Sequence, residues 1–151
     1  MAKDKAQFII GSFGLIFDEQ DRILLVHRTD YDLWNLPGGT LEDCESPMSA
    51  VKREIKEETG LDIEVARLTS VYNKAEKNSI SFTFLCKVIG GQIILSDESD
   101  KIKYFEINKI PSNTVPSQVE RIKNYLEKPN EVSLKTQTGK SSIELVKEGK
   151  L

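Results

Sequence analysis

Glu54, Glu57 and Glu58 lie within five residues of one another in the segment GGTLEDCESPMSAVKREIKEETGL, Gly38 to Leu61. Side chains three and four apart on a helix are neighbours, and like charges there repel by roughly 0.2–0.5 kcal/mol per pair. At about 100° per residue the three carboxylates share a wedge of roughly 100°. Met48, Val51 and Ile55 lie beside that wedge, and Lys52 and Lys56 fall on the far side. Only Arg53 reaches in, to Glu57 one turn on. Such a face is often just a solvated acidic surface. It is also a set of hard oxygen donors, and Mg²⁺ commonly takes a few carboxylates together with waters and substrate phosphates. Pro37-Gly38-Gly39, in front of the helix, permits close backbone approach and offers a carbonyl as a further donor.

The elements that must position these groups follow from local signals. Ser46 suits an N-cap, Pro47 the first helical position and Gly60 the left-handed stop. Residues 7–17 and 22–28 read as two strands of a hairpin turning at Asp18–Asp21, and further strands are expected at 62–72, 79–89, 91–95 and 101–106. Gly90-Gly91 is a hairpin-turn signal. A second helix is expected over Gln118–Glu127, with Ser117 and Glu120 as a capping box and Val119, Ile122 and Leu126 as its apolar stripe. Strands mixed with two helices indicate an α/β or α+β sandwich. The chain divides into a main domain, 1–128, and a tail, 129–151. The tail reads as a β-hairpin turning near Thr138-Gly139-Lys140, laid on the domain's own sheet edge or on a partner subunit as a homodimer.

Charge is unevenly spread. Glu42–Glu64 holds eight acids against Lys52, Arg53 and Lys56, within a chain of net charge −3. That balance disfavours a generic nucleic-acid surface. No apolar run approaches the ~20 residues of a membrane span, and the polar start MAKDKAQF lacks a signal peptide's apolar segment. A cytoplasmic protein is expected. Cys44 and Cys86 form no CxxC pair, so neither a disulfide framework nor a Cys-based zinc site is indicated. Cys86, in an apolar stretch, reads as a buried thiol.

Gly39, Glu45, Arg53-Glu54-Ile55, Glu57-Glu58 and Gly60-Leu61, at these spacings, match every specified position of the Nudix hydrolase signature, and the segment resembles it strongly. The flanks LWNLPGG and KYFEINKIP (103–111) agree, and the resemblance covers most of residues 7–127. It implies a Nudix-like α/β/α sandwich with a central mixed sheet. It also implies hydrolysis of a nucleoside diphosphate linked to another group, with Mg²⁺ or Mn²⁺. By similarity Glu57 and Glu58 are the main metal ligands, Glu54 a further ligand or base, and the Gly39 carbonyl a backbone ligand. Arg53 would orient Glu57 and the loop, and Glu45 would hold the loop or reach a second metal through water. Cys44 stands where the family often has glycine. A diphosphate repels its nucleophile, so cations neutralise it and lower the pKa of the attacking water.

Beyond the signature, Glu98 is the acid expected to act as general base or ligand, with Asp97 and Asp100 as neighbours able to take that role. By the same resemblance Arg28, at a strand end, is expected to point towards phosphate, with a surface salt bridge as the alternative reading. Trp34 and Phe13 are candidate stacking partners for a base. His27, the only histidine, is expected to be a packed or solvated imidazole on the opposite face. The proline typical of the family's ADP-ribose hydrolases and the tyrosine typical of its dinucleoside-polyphosphate hydrolases are absent from Asn73–Ser79, Tyr72 coming too early, and the coenzyme-A and NADH signatures do not appear, which leaves nucleoside triphosphates, modified nucleotides, nucleotide sugars or related diphosphates as substrates. The alternatives are an RNA 5′ pyrophosphohydrolase and a nucleotide-binding regulator without turnover.

Overall fold

Leu15-Ile16 and Ile23-Leu24-Leu25-Val26 are apolar at consecutive positions, so both faces of each strand need cover. In the computed structural model, which describes residues 3–151, they receive it. Strands β1 (Ile9–Ile16) and β2 (Ile23–Arg28) are followed by the short β3 (Trp34–Asn35) and β4 (Gly38–Thr40), then helix α1 (Pro47–Thr59). Long strands β5 (Leu61–Lys74) and β6 (Ser79–Gly91), β7 (Ser99–Phe105), helix α2 (Pro116–Glu127), β8 (Ser133–Gln137) and helix α3 (Ser142–Lys147) complete the chain. A mixed five-stranded sheet runs β4-β1-β6-β5-β8, and a three-stranded sheet runs β3-β2-β7. One core packs Val51 and Ile55 of α1 against Ile16, Leu24, Phe84 and Cys86. The other packs Ile122 of α2 against Leu15, Leu25, Trp34 and Leu36. Helices thus cover both sides of the strands in an α/β/α sandwich.

Four local expectations are corrected. β1 and β2 do not form a hairpin. The Asp18 carboxylate accepts from the Gln20 and Arg22 amides and closes the turn, but only the bridge Phe17–Ile23 joins the strands before they part into different sheets. The expected strand at 91–95 is absent. Gly60 (φ 80°) and Gly91 (φ 74°) meet backbone to backbone, and Ile94 N–H donates to Thr59 O, so the chain follows the end of α1 instead of pairing. α2 begins at Pro116 without a side-chain cap. Ser117 is inside that helix, and its carbonyl, like the Glu120 carboxylate, accepts from the Gln137 amide.

The tail is not a hairpin. β8 lies parallel to β5, with Ser133 opposite Ser70 and Gln137 opposite Lys74, and α3 closes the chain with a capping box from Ser141 and Glu144. Parallel pairing follows from the crossover through α2, and it places the tail on the domain's own sheet edge. Among the described residues no helix is long and apolar enough to cross a membrane.

Candidate active site

α1 starts and stops where its caps dictate. Ser46 Oγ accepts from Ser49 N–H at 3.1 Å, Pro47 opens the helix, and Gly60, left-handed, donates to Lys56 O. The Ser12 hydroxyl holds the Pro47 carbonyl at 2.7 Å and so ties the helix start to β1. Burial of Ala50, Val51, Ile55 and Thr59 fixes the roll of the helix and turns Glu54 and Glu58 towards β4, with Arg53 partly exposed and Glu57 more open beside them.

The glycines of β4 lie directly over those carboxylates. A Cβ on Gly39 would sit 2.6–2.8 Å from the Glu54 carboxylate, and one on Gly38 (φ 150°) would strike Ser12 O at 2.3 Å. Glycine is required here because backbone must approach both a neighbouring strand and an acidic side chain. Gly38 N–H points at Glu58 Oε2, 3.4 Å away. The loop in front is anchored from α2, since Leu36 N–H donates to Gln118 Oε1 at 2.6 Å.

Arg53 joins helix and loop. Its Nε and Nη2 grip both oxygens of Glu45 at 2.7 and 2.8 Å, Nη1 donates to Glu54 and Glu57 at 3.1 Å each, and Nη2 reaches Thr40 O at 3.3 Å. The Arg53 fork, helped by the Glu42 amide, holds Glu45 well below the usual carboxylate range, at about 2. Glu58 goes the other way. Burial, with the nearby Glu54 and Glu98 charges, pushes its carboxyl up to about 8 against the opposing Gly38 N–H. Burial also raises Glu54, aided by Glu57 and Glu98 and opposed by Arg53. Glu57 is more open and touches Arg53.

Glu58 and Glu98 share a cleft of about 360 Å³ with Arg28, Asp30, Asn35 and Ser99. Glu98, 40 residues past Glu58, therefore comes close enough for its charge to act on both Glu54 and Glu58. Arg28 is at the cleft, held by Asp30 through two bonds of 2.8 and 2.6 Å. Trp34 is corrected: it is 8 % exposed, edge-on to His27 (5.1 Å) and Phe105 (4.9 Å), and belongs to the core. The Trp34 ring is closed to a base. Phe13 is partly buried: its ring packs against the α2 core with the Arg121 guanidinium 5.7 Å from its centre.

Sequence reasoning missed three groups. His27 is not unpartnered, since Nδ1 meets Asp100 and Nε2 meets Asp32, each at 2.7 Å. Asn35 lines the cleft with a buried Oδ1 that has no partner; its place in LWNLPGG was the available signal. Asp30, the partner of Arg28, carries no motif signal in the sequence.

With that geometry in hand, the relatives decide the family. A profile of the NUDIX domain matches residues 9–126. The chain belongs to the Nudix hydrolase family. A MutT-like protein of Streptomyces ambofaciens is 37 % identical over 97 residues, 64 % of this chain and 63 % of that protein. A Bacillus subtilis (strain 168) protein, provisionally named an 8-oxo-dGTP diphosphatase, is 30 % identical over 125 residues, 82 % of this chain and 84 % of its own length. The crystal structure of an ADP-ribose pyrophosphatase from Streptococcus suis 89-1591 superposes with TM-score 0.71 at 26 % identity, over 87 % of this chain and all of that one.

The Nudix carboxylates fit a divalent cation by their chemistry. Glu54 and Glu58 crowd negative charge into a half-buried place with Glu98 at its exposed edge, while the two guanidiniums nearby are engaged elsewhere, Arg53 mainly with Glu45 and Arg28 with Asp30. Among the described residues no group of three or more His, Cys, Asp or Glu is already closed around an ion position, so the carboxylates must turn to share one.

Proposed function

We propose that this Nudix protein hydrolyses a phosphoric anhydride bond in a nucleoside diphosphate linked to another group, with nucleoside triphosphates or modified nucleotides as the preferred class. The observation that carries the reading is the placing of Glu54 and Glu58 beneath Gly38-Gly39, with Glu98 and Arg28 in the cleft that Glu58 also lines. The relatives add support, since their names speak of an 8-oxo-dGTP diphosphatase and an ADP-ribose pyrophosphatase.

In this reading Glu57, Glu58, Glu54 and the Gly39 carbonyl would hold Mg²⁺ or Mn²⁺, which when bound would supply charge neutralisation at the diphosphate and a lowered pKa for the attacking water. Glu98, across the cleft, accepts the proton of the attacking water. Arg28 leaves Asp30 to meet a phosphate, for which a guanidinium fork is well matched. Arg53 keeps Glu54 and Glu57 aimed while Glu45 fixes Arg53. Asn35 Oδ1, a buried acceptor without a donor, takes a polar hydrogen of the substrate. Both cysteines are free, in keeping with a reducing, cytoplasmic setting.

The test is product identification across a nucleotide panel with Mg²⁺ or Mn²⁺, repeated with Glu58→Gln. Turnover that needs the cation and is lost in the variant is expected. Tight nucleotide binding with no turnover anywhere in the panel would replace the enzyme by a regulator.

A further inference from the structure

We propose that His27 is a positioning residue of this reaction, fastening the two lips of the cleft so that Glu98 and Arg28 face each other at a fixed width. The inference rests on the reading of Glu98 as general base and Arg28 as phosphate contact. It comes from a feature the family signature does not contain. His27 is 8 % exposed, at the end of β2, and each ring nitrogen lies 2.7 Å from a carboxylate oxygen. Carboxylates only accept, so the ring donates from both nitrogens and is held as the imidazolium.

The two carboxylates belong to opposite lips. Asp32 is on the loop that follows Arg28 and carries Thr29 and Asp30, and Asn113 pins it from the other side at 2.9 Å (backbone O) and 3.1 Å (Oδ1). Asp100 is in β7, next to Ser99 and Glu98 of the facing lip. β2 and β7 slip register here. His27 pairs with Lys101 and Arg28 with Ser99, so Asp100 is the bulged residue. A bulge re-aims side chains and is common beside active sites. Here it turns Asp100 onto His27 and leaves Glu98 and Ser99 lining the cleft. Thr29 Oγ1 donates to Asp97 O at 2.8 Å and makes a second stitch between the same lips. The Trp34 edge, 5.1 Å from the imidazole, blocks the ring from behind.

Each half of the clamp then has its own kinetic signature. Asp100→Ala frees the Glu98 lip and lowers kcat about tenfold with KM within about twofold, since a small misplacement of a reacting group costs that much. Asp32→Ala frees the Arg28 lip and raises KM several-fold with kcat kept. His27→Gln, able to serve only one side, shows both effects. Asp100→Asn keeps an acceptor for His27 and restores most of kcat. Asp32 and Asp100 are exposed enough for their variants to fold, which melting temperatures check.

The deciding experiment is a double-mutant cycle with Glu98→Gln, using the best nucleotide of the panel. The expected result is that Asp100→Ala costs nothing further once Glu98 is gone. An undiminished tenfold loss in the Glu98→Gln background overturns the proposal, as do unchanged kcat and KM in Asp100→Ala, Asp32→Ala and His27→Gln. Absence of turnover in the wild type is a different outcome. It removes the hydrolase reading and the clamp's purpose with it.

Discussion

The two long helices treat charge in opposite ways. α2 buries a cation and surrounds it with rings and an amide, leaving Arg121 Nε without a hydrogen-bond partner. Arg121 is 5 % exposed, lies 5.7 and 5.4 Å from the Phe13 and Tyr72 ring centres, and donates to Gln137 Oε1 at 3.1 Å. Burial pulls its pKa down to about 10. α1 gathers anions and leaves them in want of a cation on the cleft side. Charge solvated by rings and amides holds the fold together, as Arg121 holds the tail. Charge left facing a cleft, as at Glu58, is where an external ion or substrate is needed.

The largest effect should come from the α1 side. Glu58→Gln is expected to lower kcat by roughly 10²–10³-fold, the scale seen when one electrostatic group of a transition-state site is removed. Its metal-free melting temperature should hold or rise, because a neutral amide replaces a carboxyl that resists ionisation. A large loss of stability with activity kept would reverse the comparison. On the α2 side Gln137→Ala should do the converse. It removes the bonds to Arg121, Ser117 O and Glu120, about 2–3 kcal/mol at roughly 1 kcal/mol each, seen in urea unfolding. Its metal dependence should match the wild type.

Glu45→Gln comes next. It weakens the fork that steadies Arg53, and a loss of about 10-fold in kcat is expected, as for other residues that orient ligands. Full activity would show that Arg53 needs no anchor.

pH separates the same groups by sign. Glu45 has a depressed pKa, so its contribution to stability is present above about pH 4.5 and is lost as pH falls towards about 2. Glu58 has a raised pKa, so its contribution is present below about pH 4.5 and is lost as pH rises through about 8. Metal-free melting curves should show the alkaline slope in the wild type and a flatter one in Glu58→Gln. An unchanged slope would mean that Glu58 ionises freely.

α1 was legible because everything that defines it is local: Ser46, Pro47, the buried stripe and Gly60 lie within fifteen residues. The three acids needed only helical geometry to be put on one face. Long-range pairings were not legible. Leu15 and Ile23 look like partners across a turn, yet each strand serves a different sheet because both have two faces to bury. His27 joins residues five and 73 positions away, and only β7 pairing with a bulge brings Asp100 to it. Trp34 looked like a base platform because its motif position says nothing about depth. The tail's alternation at 131–137 predicted a strand, but nothing local forbade a second strand where Ser141 and Glu144 in fact cap a helix.

Calorimetric titration of the intact protein with Mn²⁺ near pH 7, in buffers of different ionisation enthalpy, measures metal uptake and the protons released together. A cation that takes Glu58 as ligand must displace its proton. The account predicts close to one proton released per ion, falling away above about pH 9 and absent in Glu58→Gln. Uptake with no proton release, identical in the variant, or no uptake at millimolar Mn²⁺ with nucleotide present, would contradict it.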